Sequence, residues 1–572
     1  MSSTRLSRTV VVAVLAVTAA AGITATATAS PAPVADPNAS VAYQHDPAHD
    51  GNSADPSFVA PFTERWSTTL ASTVGFPVVA DGIVYVNVAH PTGGGVDVEA
   101  LSLSSGAVLW GPTDIGGTYA GYIAYDSGQL FALNDAGSLI AFDATTGAVN
   151  WATQLQGQFS FTAPPAAVNG TVYAAGAGFG GTLYAVDEAT GATKWTDPVE
   201  NGDGSSPAVD DSGVFAAYAC EQAYKFDFSG NLVWHHDTGC EGGGGRTPVL
   251  YNSRLYVRDN AGMAPAVLDA ATGAQLSSFA SGPVPAFDGR HRVTLSQGVI
   301  TVSDLTSGVS LWHADHGEAV TAPLVANGYV IEGLSDGTIE ARRIQDGQLA
   351  WQGRAEAKLV GPDERNGGIL TGLAQGDGML VVPAGRTLTV FQPVGDASVT
   401  LEDGPDPNTV VGSAVSFSFT SPVTNAQYAC TLDGQTSPCT SPLLLKGLSG
   451  GVHRFSVSVA YAPLGAAERM FTVDSVAPAV TVHPFSSAAV SAGPLAVDWT
   501  GSDEGSGVAD YQVRVRRTGG AMSAAWAIHA PTTATSASYR LSPGVRLCVS
   551  VRARDRVGNW SLWTPKECVV RR

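Results

Sequence analysis

Few side chains in this 572-residue chain are both chemically apt and close enough in sequence to work together. His235 and His236 follow Trp234, and His313, His316 and Glu318 follow Trp312, which gathers imidazole and carboxylate donors of the kind that hold zinc. Neither group has a second ligand cluster at metal-site spacing, so both are expected to be edge-strand and loop residues. Asp503, Glu504 and Asp510 offer the oxygen donors that Ca²⁺ takes, and an ordinary polar loop between strands accounts for them as well. No nucleophile with a paired histidine and carboxylate is recognisable. The glycine run 242–245 sits between predicted strands rather than ahead of a helix that would cradle a phosphate. The residue types that remain suit contact rather than catalysis. His90, Tyr119, Tyr122, Phe159, Arg246, His291 and His316 fall in connections expected to share one face, where exposed aromatics would stack on sugar or anchor a protein partner. Core positions for Tyr119 and Phe159 are the competing expectation.

Those connections join a repeated element. AFDATTGAVNW (141–151) has close copies in ALSLSSGAVLW (100–110), AVDEATGATKW (185–195), KFDFSGNLVW (225–234), VLDAATGAQLS (267–277), VSDLTSGVSLW (302–312) and ARRIQDGQLAW (341–351). A period of about forty residues marks a repeat architecture. In each copy an apolar alternation leads to the turn, Gly supplies its tight bend, and a second apolar run follows, so each is expected to be a hairpin. A second recurrent piece precedes it, as in FPVVADGIVYVNV (76–88) and APPAAVNGTVYAAG (163–176), with Asp-Gly or Asn-Gly between two apolar stretches. Four antiparallel strands per unit make one propeller blade. Eight inner strand sets can be counted. The eighth has no Trp strand after it, whereas Trp66 stands on a strand with no inner pair before it. The N-terminal strand is therefore expected to complete the last blade and leave no open edge. The fold class is expected to be all-β, with an eight-bladed propeller over 61–396.

The A-x-D-x-x-T-G-x-x-x-W copies resemble the pyrrolo-quinoline quinone (PQQ) repeat, found in eight-bladed quinoprotein dehydrogenases and in non-catalytic propellers such as the outer-membrane assembly lipoproteins. The resemblance covers about residues 45–395. It implies that Trp66, Trp110, Trp151, Trp195, Trp234, Trp312 and Trp351 dock between neighbouring blades. One Trp is missing at Ser277, where Phe279 is placed to take over part of the packing. The enzymes of that family hold the quinone on the propeller axis beside Ca²⁺ bound by Glu, Asn and Asp, with an Asp as base, a Trp against the ring and often adjacent cysteines. This chain has no adjacent cysteines and short connections, so no cofactor is expected. PQQ and Ca²⁺ enter only under the alternative, a dehydrogenase oxidising an alcohol or sugar. Residues 397–474, with Y-x-C-x-L-D-G and P-C-x-S-P, resemble a bacterial Ig-like module. Residues 475–572 resemble a fibronectin type III module, with Trp499 and Tyr511 as core candidates, and the two resemblances imply two β-sandwiches after the propeller.

Composition agrees with a turn-rich β protein: 44% hydrophobic, 14% charged, 66 Gly and 33 Pro. Residues 1–29, with Arg5, Arg8, an apolar stretch over 10–22 and Ala27-Thr28-Ala29, are expected to be a cleaved secretory signal, and 30–60 a linker. The product is expected to be extracellular, without membrane insertion after cleavage. In an oxidising compartment the cysteines are expected to pair within modules, Cys220 with Cys240, Cys430 with Cys439 and Cys548 with Cys568. Net charge is −20, unevenly placed: residues 31–396 carry 14 Lys+Arg against 38 Asp+Glu, and 478–572 carry 11 against 6. An acidic main body argues against nucleic acid as a partner. The expected function is a non-catalytic scaffold that binds a protein or a cell-surface polysaccharide, with adhesive C-terminal modules.

Overall fold

Asp143 shows why the repeat bends where it does. Its carboxylate accepts from the Thr146 amide and hydroxyl, both at 2.8 Å, while the Gly147 amide donates to the Asp143 carbonyl at 2.9 Å. Gly147 takes φ 72°, the left-handed conformation that closes the turn. The same bonds recur at Asp187 with Thr190, Asp269 with Thr272 and Asp304 with Ser307. Each turn hands the chain to an outer strand, and several of these pairings slip register beside the Trp position, as between Val149 and Trp151. Such bulges add twist.

The computed structural model describes residues 38–572 except 202–203, 219, 221, 240–244, 259–264, 316, 365–367, 424–425, 461, 486–492 and 520–521. The expected signal segment lies outside the described residues. Seven sheets of four consecutive antiparallel strands follow one another, beginning with Val78–Ala80, Ile83–Ala89, Val96–Ser102 and Val108–Asp114 and ending with the sheet from Leu324–Ala326 to Leu349–Arg354. A further sheet holds Ala374–Gly376, Met379–Ala384 and Thr387–Pro393. Its fourth strand is Phe62–Thr69 from the other end of this region, antiparallel to Thr387–Pro393 with Trp66 opposite Val390. The first strands of neighbouring sheets lie against one another, which makes the assembly a β-propeller with those strands innermost. Apolar clusters fill the spaces between successive sheets.

Residues 38–60 depart from the expected linker. Tyr43, His49, Asp55 and Phe58 are all at most 1% exposed. Their peptide groups are taken up by the inner strands: Val79, Tyr125, Val209, Leu250, Phe287 and Val325 donate amides to the carbonyls of Ser40, Val41, Pro47, Ala48, Asp50 and Gly51, at 2.8–3.0 Å. Asn52–Ser53 pairs in parallel with Leu324–Ala326, and the Asp377 amide donates to the Asn38 carbonyl at 2.8 Å. Polar, Pro-containing composition reads as a loop. Here it is a strap across the inner ends of seven of the sheets, held by backbone bonds that side-chain patterning does not announce.

Beyond residue 396, Thr400–Asp403, Ala414–Thr420 and Leu443–Lys446 form one sheet, and a second of five strands contains Gly451–Val459 and Ala462–Val473. Phe417, Phe419, Phe455 and Phe471 are buried in one cluster, with the Phe417 and Phe455 rings stacked at 3.9 Å. Further on, Leu495–Ser502 lies in a three-stranded sheet, and Val508–Gly519 pairs with Arg546–Asp555 in another. Trp499 and Tyr511 are buried in the shared core with ring centroids 6.2 Å apart. Disulfides join Cys430 to Cys439 and Cys548 to Cys568. Cys220 is buried and disulfide-bonded, while its expected partner Cys240 lies outside the described residues. Among the described residues no helix is long and apolar enough to cross a membrane.

Candidate functional site

The seven tryptophans make one recurring contact. The indole nitrogens of Trp66, Trp110, Trp151, Trp195, Trp234 and Trp312 donate to the carbonyls of Leu103, Ala144, Glu188, Phe228, Ala270 and Ile344 in the following sheet, at 2.7–3.2 Å. Trp351 donates instead to the Phe62 carbonyl at 2.7 Å, on the strand that the N-terminal region contributes. Each of the first six rings also lies over the turn glycine of the following sheet. A Cβ added at Gly106, Gly147, Gly191, Gly230, Gly273 or Gly347 would fall 2.6–2.9 Å from that ring. Gly308, which follows the sheet with Ser277, has nothing within 4 Å. Phe279 turns instead to Tyr256 of its own sheet, centroids 5.5 Å apart, and to Arg292 of the next at 5.8 Å. Trp110 and Trp351 are buried, and the other five are half-buried.

The predicted ligand face divides. Tyr119 and Phe159 are exposed, at 49% and 61%, in the connections that enter the second and third sheets. Phe159 meets Phe179, 85% exposed, in an edge-on pair with centroids 5.3 Å apart. Gln158 fixes the pair: its amide nitrogen donates to the Thr182 hydroxyl at 3.0 Å, and its carbonyl accepts from the Phe179 amide at 3.1 Å. Phe179 was not among the sequence candidates. A single aromatic between glycines in GAGFGG was its only signal, since a glycine-flanked loop gives such a ring nothing to pack against. His90 sits nearby in chain order, bonding the Gly94 carbonyl through Nδ1 at 2.9 Å and the Asp97 carboxylate through Nε2 at 3.1 Å. The bond to Asp97 raises its pKa.

Other candidates lie elsewhere. Tyr122 is 1% exposed and donates its hydroxyl to the Gly368 carbonyl at 3.2 Å, so it is an inner-wall residue: three positions after Tyr119, it has entered the strand. Arg246 donates to the Gly282 carbonyl at 2.6 Å, beside a buried ion pair in which Arg258 Nη1 meets Glu364 Oε2 at 2.7 Å. A cavity of about 270 Å³ opens there, lined by Arg246, Pro283, Val320, Pro362 and Glu364 among others. His291 follows the turn after Ala286–Phe287 and bonds Asp288 at 2.9 Å, at the opposite end of its sheet from the connections that carry Tyr119 and Phe159. The turn, not an entering loop, carries it. His316 lies outside the described residues. His235 stacks on Tyr224 at 4.1 Å, and His236 bonds the Gly273 carbonyl at 3.1 Å, so each ring is engaged within the fold. His313 stands opposite Thr301 on an outer strand, and Glu318 accepts from Ser335 at 3.3 Å. Asp510 pairs with Arg554. Asp503 converges with Asp474 and Asp555, one oxygen of each within 4.8 Å of the others, and all three already accept backbone amides.

Comparison with known proteins gives one family and several likenesses. The family profile described as outer membrane protein assembly factor BamB matches residues 94–202, 179–276 and 263–393. A curated relative, outer membrane protein assembly factor BamB of Moranella endobia (strain PCIT), is 26% identical over 155 residues, 23% of this chain and 40% of the relative. The chain thus spans well under two thirds of the curated relative it matches. Among solved structures, BamB from Moraxella catarrhalis is 21% identical with a TM-score of 0.45, covering 58% of this chain and 98% of that one. Quinohemoprotein alcohol dehydrogenase ADHIIG from Pseudomonas putida HK5 is 15% identical with a TM-score of 0.49, covering 66% and 83%.

Proposed function

Since the chain belongs to the repeat family described as outer membrane protein assembly factor BamB, whose profile matches more than half of it, we propose that it is a non-catalytic scaffold holding a protein partner on one face of an eight-bladed propeller. The Phe159–Phe179 pair carries this reading. Two phenyl rings at 61% and 85% exposure, clamped by one glutamine, form a rigid apolar anchor that loses little freedom on binding. The family name supports a protein as partner, and a polysaccharide on this face is the second reading. The disulfides, Cys430–Cys439 and Cys548–Cys568 among them, suit folding in an oxidising compartment, hence export or cell-surface exposure. The sheets after residue 396 are read as Ig-like and fibronectin type III-like sandwiches that space or adhere.

A quinone is the less favoured reading, because Tyr43 packs against Phe76 with rings 5.3 Å apart, His49 is buried and Arg258 pairs with Glu364, so these side chains are already engaged within the fold. The tryptophans are committed to the turns of neighbouring sheets. Added PQQ, Ca²⁺ and a dye acceptor should give no oxidation of alcohol or sugar, and dye reduction would favour the dehydrogenase alternative.

The scaffold reading is tested by a photo-crosslinking phenylalanine analogue at position 179, with position 228, where Phe228 is 47% exposed on a Trp-side turn, as comparison. In producing cells a discrete protein adduct should form from 179 and not from 228. Equal or absent adducts would count against the face.

A further inference from the structure

The last module, beyond the residues that the family profile matches, carries a stack of aromatic and basic side chains. On the outer side of the sheet formed by Val508–Gly519 and Arg546–Asp555, six side chains alternate: Trp526, Arg514, Trp563, Arg552, Trp560 and Arg554. Arg514 lies 4.7 Å from the Trp526 ring and 4.5 Å from Trp563. Arg552 lies 4.8 Å from Trp563 and 4.3 Å from Trp560, and Arg554 lies 5.3 Å from Trp560. Strand alternation puts the arginines outward, because their neighbours Val513, Val515, Val551 and Ala553 are buried. The segment after the second strand folds back over it, with the Ser561 amide on the Ala553 carbonyl at 2.9 Å and the Thr564 amide on the Val551 carbonyl at 2.9 Å. That return places two indoles between guanidiniums.

The rings hold the guanidiniums by their faces and leave their edges for hydrogen bonding. Some donors are already engaged: Arg514 Nε on the Ser550 hydroxyl at 3.2 Å, Arg552 Nε and Nη2 on the Gln512 carbonyl oxygen at 2.9 and 2.6 Å, and Arg554 on Asp510. These bonds fix orientation, yet among the described residues Asp510 supplies the one carboxylate bonded to these arginines. Three like charges in a rigid row, in a region with 11 Lys+Arg against 6 Asp+Glu, are poised for spaced anionic groups. Arg552 and Arg554 alternate on one strand, ~6.6 Å apart, and Arg514 lies diagonally from Arg552 on the paired strand, ~7–8 Å away, so the row suits a polymer with separated charges. We propose that this stack binds an anionic polysaccharide. Nucleic acid suits it less, because its indole faces are taken by guanidiniums rather than offered to bases. Leu562, 91% exposed between two of the indoles, adds an apolar contact for a sugar face. The inference does not depend on the partner proposed for the propeller.

Affinity electrophoresis of the full chain in polygalacturonate gels tests it, with neutral dextran and a DNA duplex as comparisons. Polygalacturonate should retard the protein, salt should reverse this, and dextran should have no effect. Arg514→Gln with Arg552→Gln should weaken binding by about tenfold for each guanidinium removed. Arg540→Gln with Arg572→Gln, the same charge change off the stack, should leave it within about twofold. If the first pair melts early, Arg552→Lys keeps the charge but not the stacked fork, and should still cost about threefold. No retardation, unchanged binding in folded stack variants, or DNA bound as tightly as polygalacturonate would each overturn the proposal.

Discussion

At the scale of single residues, the contact between each Trp and the next turn glycine makes a controlled comparison. Gly147 and Gly308 both take φ near 71–72°, but a Cβ at 147 would fall 2.6 Å from Trp110 while 308 is open. Gly308→Ala should therefore cost only the left-handed penalty, about 1–2 kcal/mol. Gly147→Ala should cost about 1–3 kcal/mol more, because the ring must shift. Urea midpoints of the two variants decide the matter, and equal losses would mean that the ring does not pack on the turn. The strap residues predict a pH signature. Burial lowers the His45 pKa from 6.5 to about 4, so the unfolded chain binds the extra proton between those values and stability falls as pH drops through that window. Burial raises Asp46 from 3.8 to about 6, so its contribution has the opposite sign and stability falls as pH rises. His45→Gln should stabilise the protein near pH 5 and little at pH 7, whereas Asp46→Asn should stabilise it at both and more at pH 7 than at pH 5. Melting temperatures at the two values would show whether the slopes separate in this way.

At the scale of elements, the repeat was legible because its determinants are local: an Asp whose carboxylate caps a Thr amide, a Gly that turns left-handed, a Trp at fixed distance. The complementary ends were legible too, an unpaired Trp strand and a sheet lacking one. The strap was not, because it is held through peptide carbonyls and its Pro, Asp and His look solvated. Nor could the sequence separate Tyr119 from Tyr122, since three residues decide between solvent and core and the strand start is not marked. Phe179 left only a trace. These elements have unequal weight. A chain beginning at residue 71 lacks both the strap and the strand Phe62–Thr69, and so loses the acceptor of Trp351 and the bonds to seven sheets. A chain ending at 396 keeps all of these. It uncovers one outer strand, Leu349–Arg354, against which Ala462–Val473 packs. Thermal melts should show the first truncation aggregating or melting far earlier and the second losing little. Similar losses would mean that the strap is incidental.

At the scale of the whole molecule, residues 38–70 and the remainder form two halves of one interface, with Asp55 taking the Gly378 amide and the Gln375 amide nitrogen at 2.6 Å each. A synthetic peptide of residues 38–70 should therefore rescue the chain that begins at 71, raising its melting temperature in a saturable way. A peptide with Asp55→Ala should rescue poorly, and equal rescue by both would show that the axial bonds contribute little. The strap also bears on the order of events during synthesis. Its residues leave the ribosome before every sheet they bond, yet their acceptors and donors extend to Gly378, more than 300 residues later. Until then the strap has only part of its seat, because its bonds to seven of the sheets become available one sheet at a time. Ring and strap must finish together, so the protein should fold late and as a unit, with a slow closing step that local hairpin formation cannot hasten.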